Sequence, residues 1–217
     1  MTNLLTKEFK LCASPLSWIF IAAALMTLLP GYPILMGAFF VCFGVFHSFQ
    51  NAREANDVLY TVLLPVRKAD FVRAKYAFTC FIQLIGFIIM AALTVLRMTA
   101  LSGGKAYVSN ALMNATPLFL AFALLIFTAF NVLFLGGFFR TAYKFGMPFL
   151  SFGIAALLLI AVGEALHFFP GLGFFNATAG ERLGLQLVLL GIAAVVYALG
   201  TFLSCRGSMA RFEKIDL

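Results

Sequence analysis

The sequence predicts an all-α integral membrane protein, a single transmembrane domain over residues 1–217 that crosses a bilayer about six times. Three observations predict it. The composition is 63% hydrophobic and only 11% charged, with a mean hydropathy of +1.04; long runs carry no charge; and Lys and Arg fall in the gaps between those runs. A soluble domain holds about 45–50% apolar and about 25% charged residues. A chain of 217 residues has too little interior to hide so many Phe, Leu and Ile side chains, so lipid must cover the remainder. In a soluble protein the net charge of +7 would suggest nucleic acid. Here the basic residues do not line one polar face, and no nucleic-acid partner is expected.

A hydrocarbon core about 30 Å thick needs about 20 helical residues, with every backbone group paired inside the segment. The runs that meet this requirement are about 15–29, 34–49, 77–96, 117–139, 145–166 and 185–204. The clearest begins at Pro117, a residue suited to a first helical turn. The first run is short: Leu16 to Leu29 would span only about 21 Å as an α-helix. It is therefore extended backwards, with Ser14 as N-cap and Pro15 as first helical residue. Pro30-Gly31-Tyr32-Pro33 then makes a tight turn into the second run.

Twelve of the 15 Lys and Arg fall on one side of these runs, and only Arg97, Lys105 and Arg182 on the other. Basic residues stay on the cytosolic side during insertion, which predicts both termini inside the cell. Lys7 and Lys10 before an apolar run imitate a signal peptide, but five further runs follow, so the first run is read as a helix that stays attached. Cys12, Cys42, Cys80 and Cys205 show no metal-ligand spacing and are expected as free thiols packed as small hydrophobes.

Three features lie outside the spans. Leu5, Phe9 and Cys12 recur at i, i+4 and i+7 while Lys7 and Lys10 face away, the pattern of an amphipathic helix along the inner membrane surface. In the long cytosolic loop from Gln50 to Tyr76, Asn56 or Asp57 caps a short helix that runs to about Leu64, where Pro65 stops it. That helix is more apolar than solubility requires and calls for a partner surface. The external stretch from His167 to Gly184 is rich in Phe, Gly and Pro, and is expected to dip back into the outer leaflet as a re-entrant segment.

Motifs for chemistry are few. Leu101-Ser102-Gly103-Gly104-Lys105 imitates the signature loop of ABC-type ATPases, but neither a phosphate-binding loop nor room for a nucleotide-binding domain accompanies it. His47, Glu164 and His167 are the only ionisable groups within or bordering the spans that could serve an enzyme, and Glu164 stands out as a carboxylate at membrane depth. Its bland role is to meet water or pair with His167. Gln83 and Asn131 are intramembrane amides that either hydrogen-bond a neighbouring helix or contact a substrate. Asn114-Ala115-Thr116 and Asn176-Ala177-Thr178 match glycosylation sequons, by chance if the source is bacterial.

From Thr6 onward the chain resembles the small six-helix permease subunits of ABC-2-type exporters. The resemblance rests on Leu5-Thr6-Lys7-Glu8-Phe9-Lys10, similar to an amphipathic N-terminal helix, and on Asn56-Asp57, Leu64-Pro65-Val66-Arg67-Lys68, Phe71-Val72 and Lys75-Tyr76, similar to that family's cytosolic loop. Val66-Arg67 lacks the Ser usual between them. The resemblance implies that the loop between the second and third spans is a coupling element seated in a groove on a separate ATPase subunit. It also implies that the last external loop forms re-entrant helices, and that the permease works with a second copy or a paralogue.

The leading expectation is therefore a non-enzymatic permease subunit in a bacterial cell membrane, with ATP bound by a partner subunit and no cofactor or metal in this chain. The residues assigned to ATPase coupling are Asp57, Tyr60, Thr61, Leu64, Arg67 and Lys68, and those assigned to a pathway or to interhelical polar contacts are Gln83, Asn131 and Glu164. The alternatives are a substrate-binding membrane subunit of a vitamin importer and a membrane-embedded enzyme using Glu164 and His167. The abundant Phe residues fit an amphipathic cargo or ordinary lipid contact.

Overall fold

The computed structural model describes residues 2–141, 144–176 and 182–215, and among them every regular element is helical. Helix α1, Leu4–Cys12, meets α2, Pro15–Leu28, at a bend of 92°. Helix α3 spans Met36–Glu54, and α4, Asp57–Leu63, is a single short surface helix. Next come α5, Lys68–Thr99, the short α6, Lys105–Val108, and α7, Pro117–Thr141. The fold closes with α8, Gly146–Phe168, and α9, Leu183–Phe212. Among the described residues four helices, α5, α7, α8 and α9, are long and apolar enough to cross a membrane, and the bent α1–α2 pair makes a fifth candidate. Helix α3 has 19 residues, but its last turns carry Gln50, Asn51, Arg53 and Glu54, which lowers its mean hydropathy.

The helices run beyond the expected spans where polar residues continue them. Helix α5 begins at Lys68 rather than Ala77, and α9 continues past Ser204 to Phe212. The short second helix has a physical solution. Ser14 accepts from the Leu16 amide at 3.2 Å and Pro15 opens the helix, as read from the sequence. From Phe20 to Leu28, however, the chain winds as a 3-10 helix. At about 2.0 Å per residue against about 1.5 Å for an α-helix, the tighter winding makes the short segment longer than an α-helix of the same residues.

Two groups of contacts mark two ends of the bundle. At one end Lys7 meets Asp57, Lys68 donates to the Ile215 carbonyl at 2.7 Å, and Arg53 lies over the Phe145 ring. At the other, Arg97 donates to the Thr27 carbonyl at 2.7 Å and to Asn114 Oδ1 at 2.9 Å, Gly31 N–H donates to Asn110, and Tyr107 donates to the Leu28 carbonyl. The first end holds the basic excess.

Helix α7 lies at the centre and is largely buried, whereas α8 and α9 keep most of their surface outward, including Leu150, Ile154, Leu158, Ile192, Leu199 and Leu203. Along the seam of α3, α7 and α8, phenylalanines repeat at helical spacing and interlock: Phe46 stacks on Phe149 at 4.0 Å, and Phe49 meets Phe134 and Phe138 edge-on. Much of the Phe content is therefore a packed interior, for which neither cargo nor lipid contact is needed. His47 belongs to the same cluster, edge-on to Phe43 at 4.6 Å.

Helices α2 and α3 approach closely through small residues, and Ser17 donates to the Gly44 carbonyl at 2.6 Å. A Cβ at Gly44 would lie 2.7 Å from Phe20 Cβ and 3.2 Å from Ser17 Cα, so the contact depends on glycine. Gly44→Leu is expected to lower the melting temperature of the purified protein by about 4–8 °C through overpacking. A melting curve unchanged from wild type would refute the close contact.

Candidate functional site

The surface helix α4 is fastened from beneath by buried charges. Asn56, at φ 51° in the left-handed region that Asn tolerates better than most residues, turns the chain out of α3 and into α4. Leu64 is extended, as a residue before proline must be. The seven-residue helix then has two faces. Asp57, Val58 and Thr61 point inward, while Leu59, Tyr60, Leu63 and Leu64 point outward, with Leu63 74% exposed and Tyr60 64%.

Inward, four ionised side chains alternate in sign. Lys75 Nζ lies 2.6 Å from Glu8 Oε2 and 3.0 Å from Asp57 Oδ2, while Lys7 Nζ lies 2.6 Å from Asp57 Oδ1 and 3.4 Å from Glu8 Oε1. Lys7 also donates to Thr61 Oγ1 at 2.8 Å, and Thr61 donates to the Asp57 carbonyl at 2.6 Å. The Phe71 ring sits 5.0 Å from Lys7 Nζ and 5.5 Å from Lys75 Nζ. Glu8 and Lys75 are almost wholly buried, at 1% and 2% exposure. Desolvating one such ion would cost several kcal/mol, and only close pairing offsets it. Two cations and two anions leave the cluster neutral. It ties α1, α4 and α5 together.

Burial alone would raise the Asp57 carboxyl, but the Lys75 ammonium, followed by Lys7, overrides it and holds the group below the usual carboxylate range. Glu8, Cys12 and Asp57 bring possible metal-ligand atoms within 4.8 Å of one another, yet the Lys7 and Lys75 ammonium groups together already neutralise both carboxylates.

The structure rearranges the residues assigned from the sequence. Lys7 does not face away from α1; the buried face is Leu4, Glu8 and Cys12, spaced at i, i+4 and i+8, with Lys7 reaching under α4 and Lys10 exposed. Of the coupling residues, Asp57 and Thr61 serve the internal lock, Lys68 holds the C-terminal segment at Ile215, and Tyr60, Leu64 and Arg67 remain outward. Asn56 does not cap α4 with its side chain. Glu8 and Lys75 were missed, though the spacing of Glu8 from Leu4 and Cys12 was the available signal.

The two amides meet inside the bundle. Gln83 and Asn131 form a reciprocal pair, both bonds at 3.0 Å, while Tyr197 donates to Gln83 Oε1 and Asn131 donates to Thr201 Oγ1. Asn131 lies in a π-helical turn, Phe130–Leu135. Its carbonyl accepts from Ser204 at 2.8 Å and from Tyr76 at 3.3 Å. The ladder joins α5, α7 and α9.

Glu164 is held by the segment before α7. Its Oε2 accepts the Met113 N–H at 2.7 Å, and His167 Nε2 lies 3.2 Å from the Ala111 carbonyl, so both pin the segment before α7. Asn114 is buried and donates to the Asn176 carbonyl at 3.1 Å, which leaves no room for a glycan there. The described part of the stretch between α8 and α9 begins and ends in short 3-10 turns at Leu166–Phe168 and Gly173–Asn176, and the Phe175 carbonyl accepts from Thr116. Residues 177–181, including Ala177 and Thr178 of the second sequon, lie outside the described residues.

A family model described as ABC-2 family transporter protein matches residues 3–207. No curated protein and no solved structure matches the chain.

Removing one member of the lock should be far worse than removing a pair. Lys75→Met is expected to destabilise the protein by about 3–5 kcal/mol, and adding Glu8→Gln should recover part of the loss, both read by thermal melting in detergent. Equal stability of Lys75→Met and wild type would exclude a structural lock. Because the Asp57 carboxyl is held low in the folded protein, its contribution is present above its unfolded pKa and is lost as pH falls through the lowered folded value. A spin label at an Asn56→Cys variant should therefore keep constant mobility from about pH 8 to 5 and loosen only in stronger acid, below the ordinary carboxylate range.

Proposed function

The chain belongs to the ABC-2 transporter family, and from that premise we propose that it is the permease subunit of an ATP-driven exporter in the cell membrane. It spans the bilayer six times, with both termini in the cytosol. The contacts at the two bundle ends support six passes: residues 7, 57, 68 and 215 gather at one end, and residues 27, 97, 114, 164 and 176 at the other. The orientation follows from the basic excess at the first end. ATP is bound by separate ATPase subunits, and two permeases together enclose the pathway.

One observation carries the coupling assignment. Helix α4 offers Leu59, Tyr60, Leu63 and Leu64 to solvent while its other face is bolted to α1 and α5. An apolar surface on a single short helix outside the membrane needs a covering partner, and a helix fixed so firmly moves with what it is fixed to. A push on the outward face passes through Asp57 to Lys75 on α5 and to Lys7 on α1. The ATPase groove therefore engages Tyr60, Leu63, Leu64 and Arg67, with Asp57 and Thr61 acting behind them.

Leu64→Asp and Arg67→Glu are each expected to abolish co-purification of the ATPase subunit while membrane insertion stays normal. Retention of the ATPase and of transport in both variants would remove the coupling role. Labelling of an Asn56→Cys thiol by an impermeant reagent added outside intact cells would reverse the orientation. These two failures are distinguishable.

A further inference from the structure

Helices α8 and α9 both pack on α7, and at the basic end a cavity of about 450 Å³ opens among the three. Its rim carries Arg140 and Lys144 from the end of α7 and the link to α8, and Arg211 from the last turn of α9. Among the described residues no Asp or Glu lines it. Among the described residues none of these three side chains has a carboxylate partner. Gly136 and Gly137 line it on α7, and Ser151 adds a hydroxyl from α8.

The same three helices leave a second cavity, of about 290 Å³, near the opposite end, lined by apolar side chains such as Leu118, Phe122 and Val196. The two cavities share their helices but not their chemistry. Only the one at the basic end gathers positive charge, and there the walls turn apolar at Val132 and Met147, both exposed to the surroundings of the bundle. A ligand that matches this lining has an anionic head and a hydrocarbon tail.

We infer that this cavity is a binding site for an acidic phospholipid of the inner leaflet, its phosphate held by Arg140, Lys144 and Arg211 and its acyl chains lying over Val132 and Met147 between α8 and α9. Basic pockets between transmembrane helices on the cytosolic side hold anionic headgroups in this way. A second copy of the chain fits less well. In a two-fold contact the same patch meets itself, and three cations would face three. The placement in the inner leaflet rests on the proposed orientation, whereas binding itself does not.

The test uses the purified full-length protein in nanodiscs of phosphatidylcholine with added phosphatidylglycerol, with bound lipid counted by native mass spectrometry after ejection. Wild type is expected to retain phosphatidylglycerol in preference to phosphatidylcholine. The triple variant Arg140→Gln, Lys144→Gln, Arg211→Gln should lose that retention by roughly tenfold or more. Ser151→Trp, which fills the cavity without altering charge, should lose it as well, and Lys10→Gln with Lys105→Gln, both exposed and neither in the cavity lining, should not. Retention by the triple variant, or by Ser151→Trp, overturns the site. Displacement of the lipid by millimolar inorganic phosphate assigns the cavity to a soluble anion and overturns the lipid reading. Loss of dimer without loss of lipid makes it an interface between copies and overturns it too. Failure of ATPase co-purification bears on α4 alone and leaves this outcome untouched.

Discussion

Four charges beneath one short helix organise the basic end of this protein. Glu8, Lys75, Asp57 and Lys7 come from three chain segments that hydrophobic packing alone would leave free to slide, since apolar side chains in lipid or in a bundle exchange neighbours at small loss. Ion pairs behave differently. Once Glu8 and Lys75 are shut away from water, each needs the other at close range, and a shift of an ångström or two strands a charge. The cluster therefore sets the register of α1 against α5 and presses α4 onto both. Its neutrality matters as much as its geometry, because an unbalanced cation here would have to be satisfied by water or a further acid.

The rest of the bundle relies on gentler devices. The Phe seam of α3, α7 and α8 supplies area and edge-to-face geometry. The α2–α3 contact uses glycine and serine to bring backbones together, with Ser17 and Ser48 hydroxyls 2.6 Å apart. The π-helical turn of α7 gives the Asn131 carbonyl to Ser204 and Tyr76, a local departure from α-geometry that is satisfied from α9 and α5. At the end opposite the charge cluster neutral hydrogen bonds predominate, with Arg97 drawn in to the Thr27 carbonyl and Asn114.

How much of this was legible in the sequence depended on the range of the signal. The helical class and most spans followed from runs without charge, and Ser14, Pro15 and Pro65 marked helix ends because capping and ring geometry act within a few residues. The 3-10 winding of α2 was hidden, since residue type hardly separates it from an α-helix, though the short run signalled that something had to give. Lys7 was misplaced because a lysine beside an apolar stripe looks solvated until its partner fifty residues away is known. Asp57 and Thr61 were assigned to an external partner for the same reason: polarity marks a residue as important without saying which side it serves. The Gln83–Asn131 pairing was nearer to hand, because two intramembrane amides have few other ways to be satisfied.

These contacts form a continuous path from the surface helix to the far side of the bundle. Asp57 holds Lys75, and the next residue on α5, Tyr76, bonds Ser204 and Ser208 of α9 at 2.8 and 3.0 Å and the Asn131 carbonyl of α7. Two turns further along α5, Gln83 grips Asn131 again and meets Tyr197 of α9. Helix α5 is thus fastened to α4 at its start and to α7 and α9 by polar bonds through its first half, so it cannot move with α4 without drawing on both. Helix α8 lacks such a tie in that ladder and meets α7 through Phe packing and the Gly137–Pro148 approach. Apolar interfaces of that kind can slide where hydrogen-bonded ones resist. On the proposed coupling, a displacement imposed on α4 would therefore move α5, α7 and α9 together and be taken up where α8 leans on α7, beside the cavity that Arg140, Lys144 and Arg211 line.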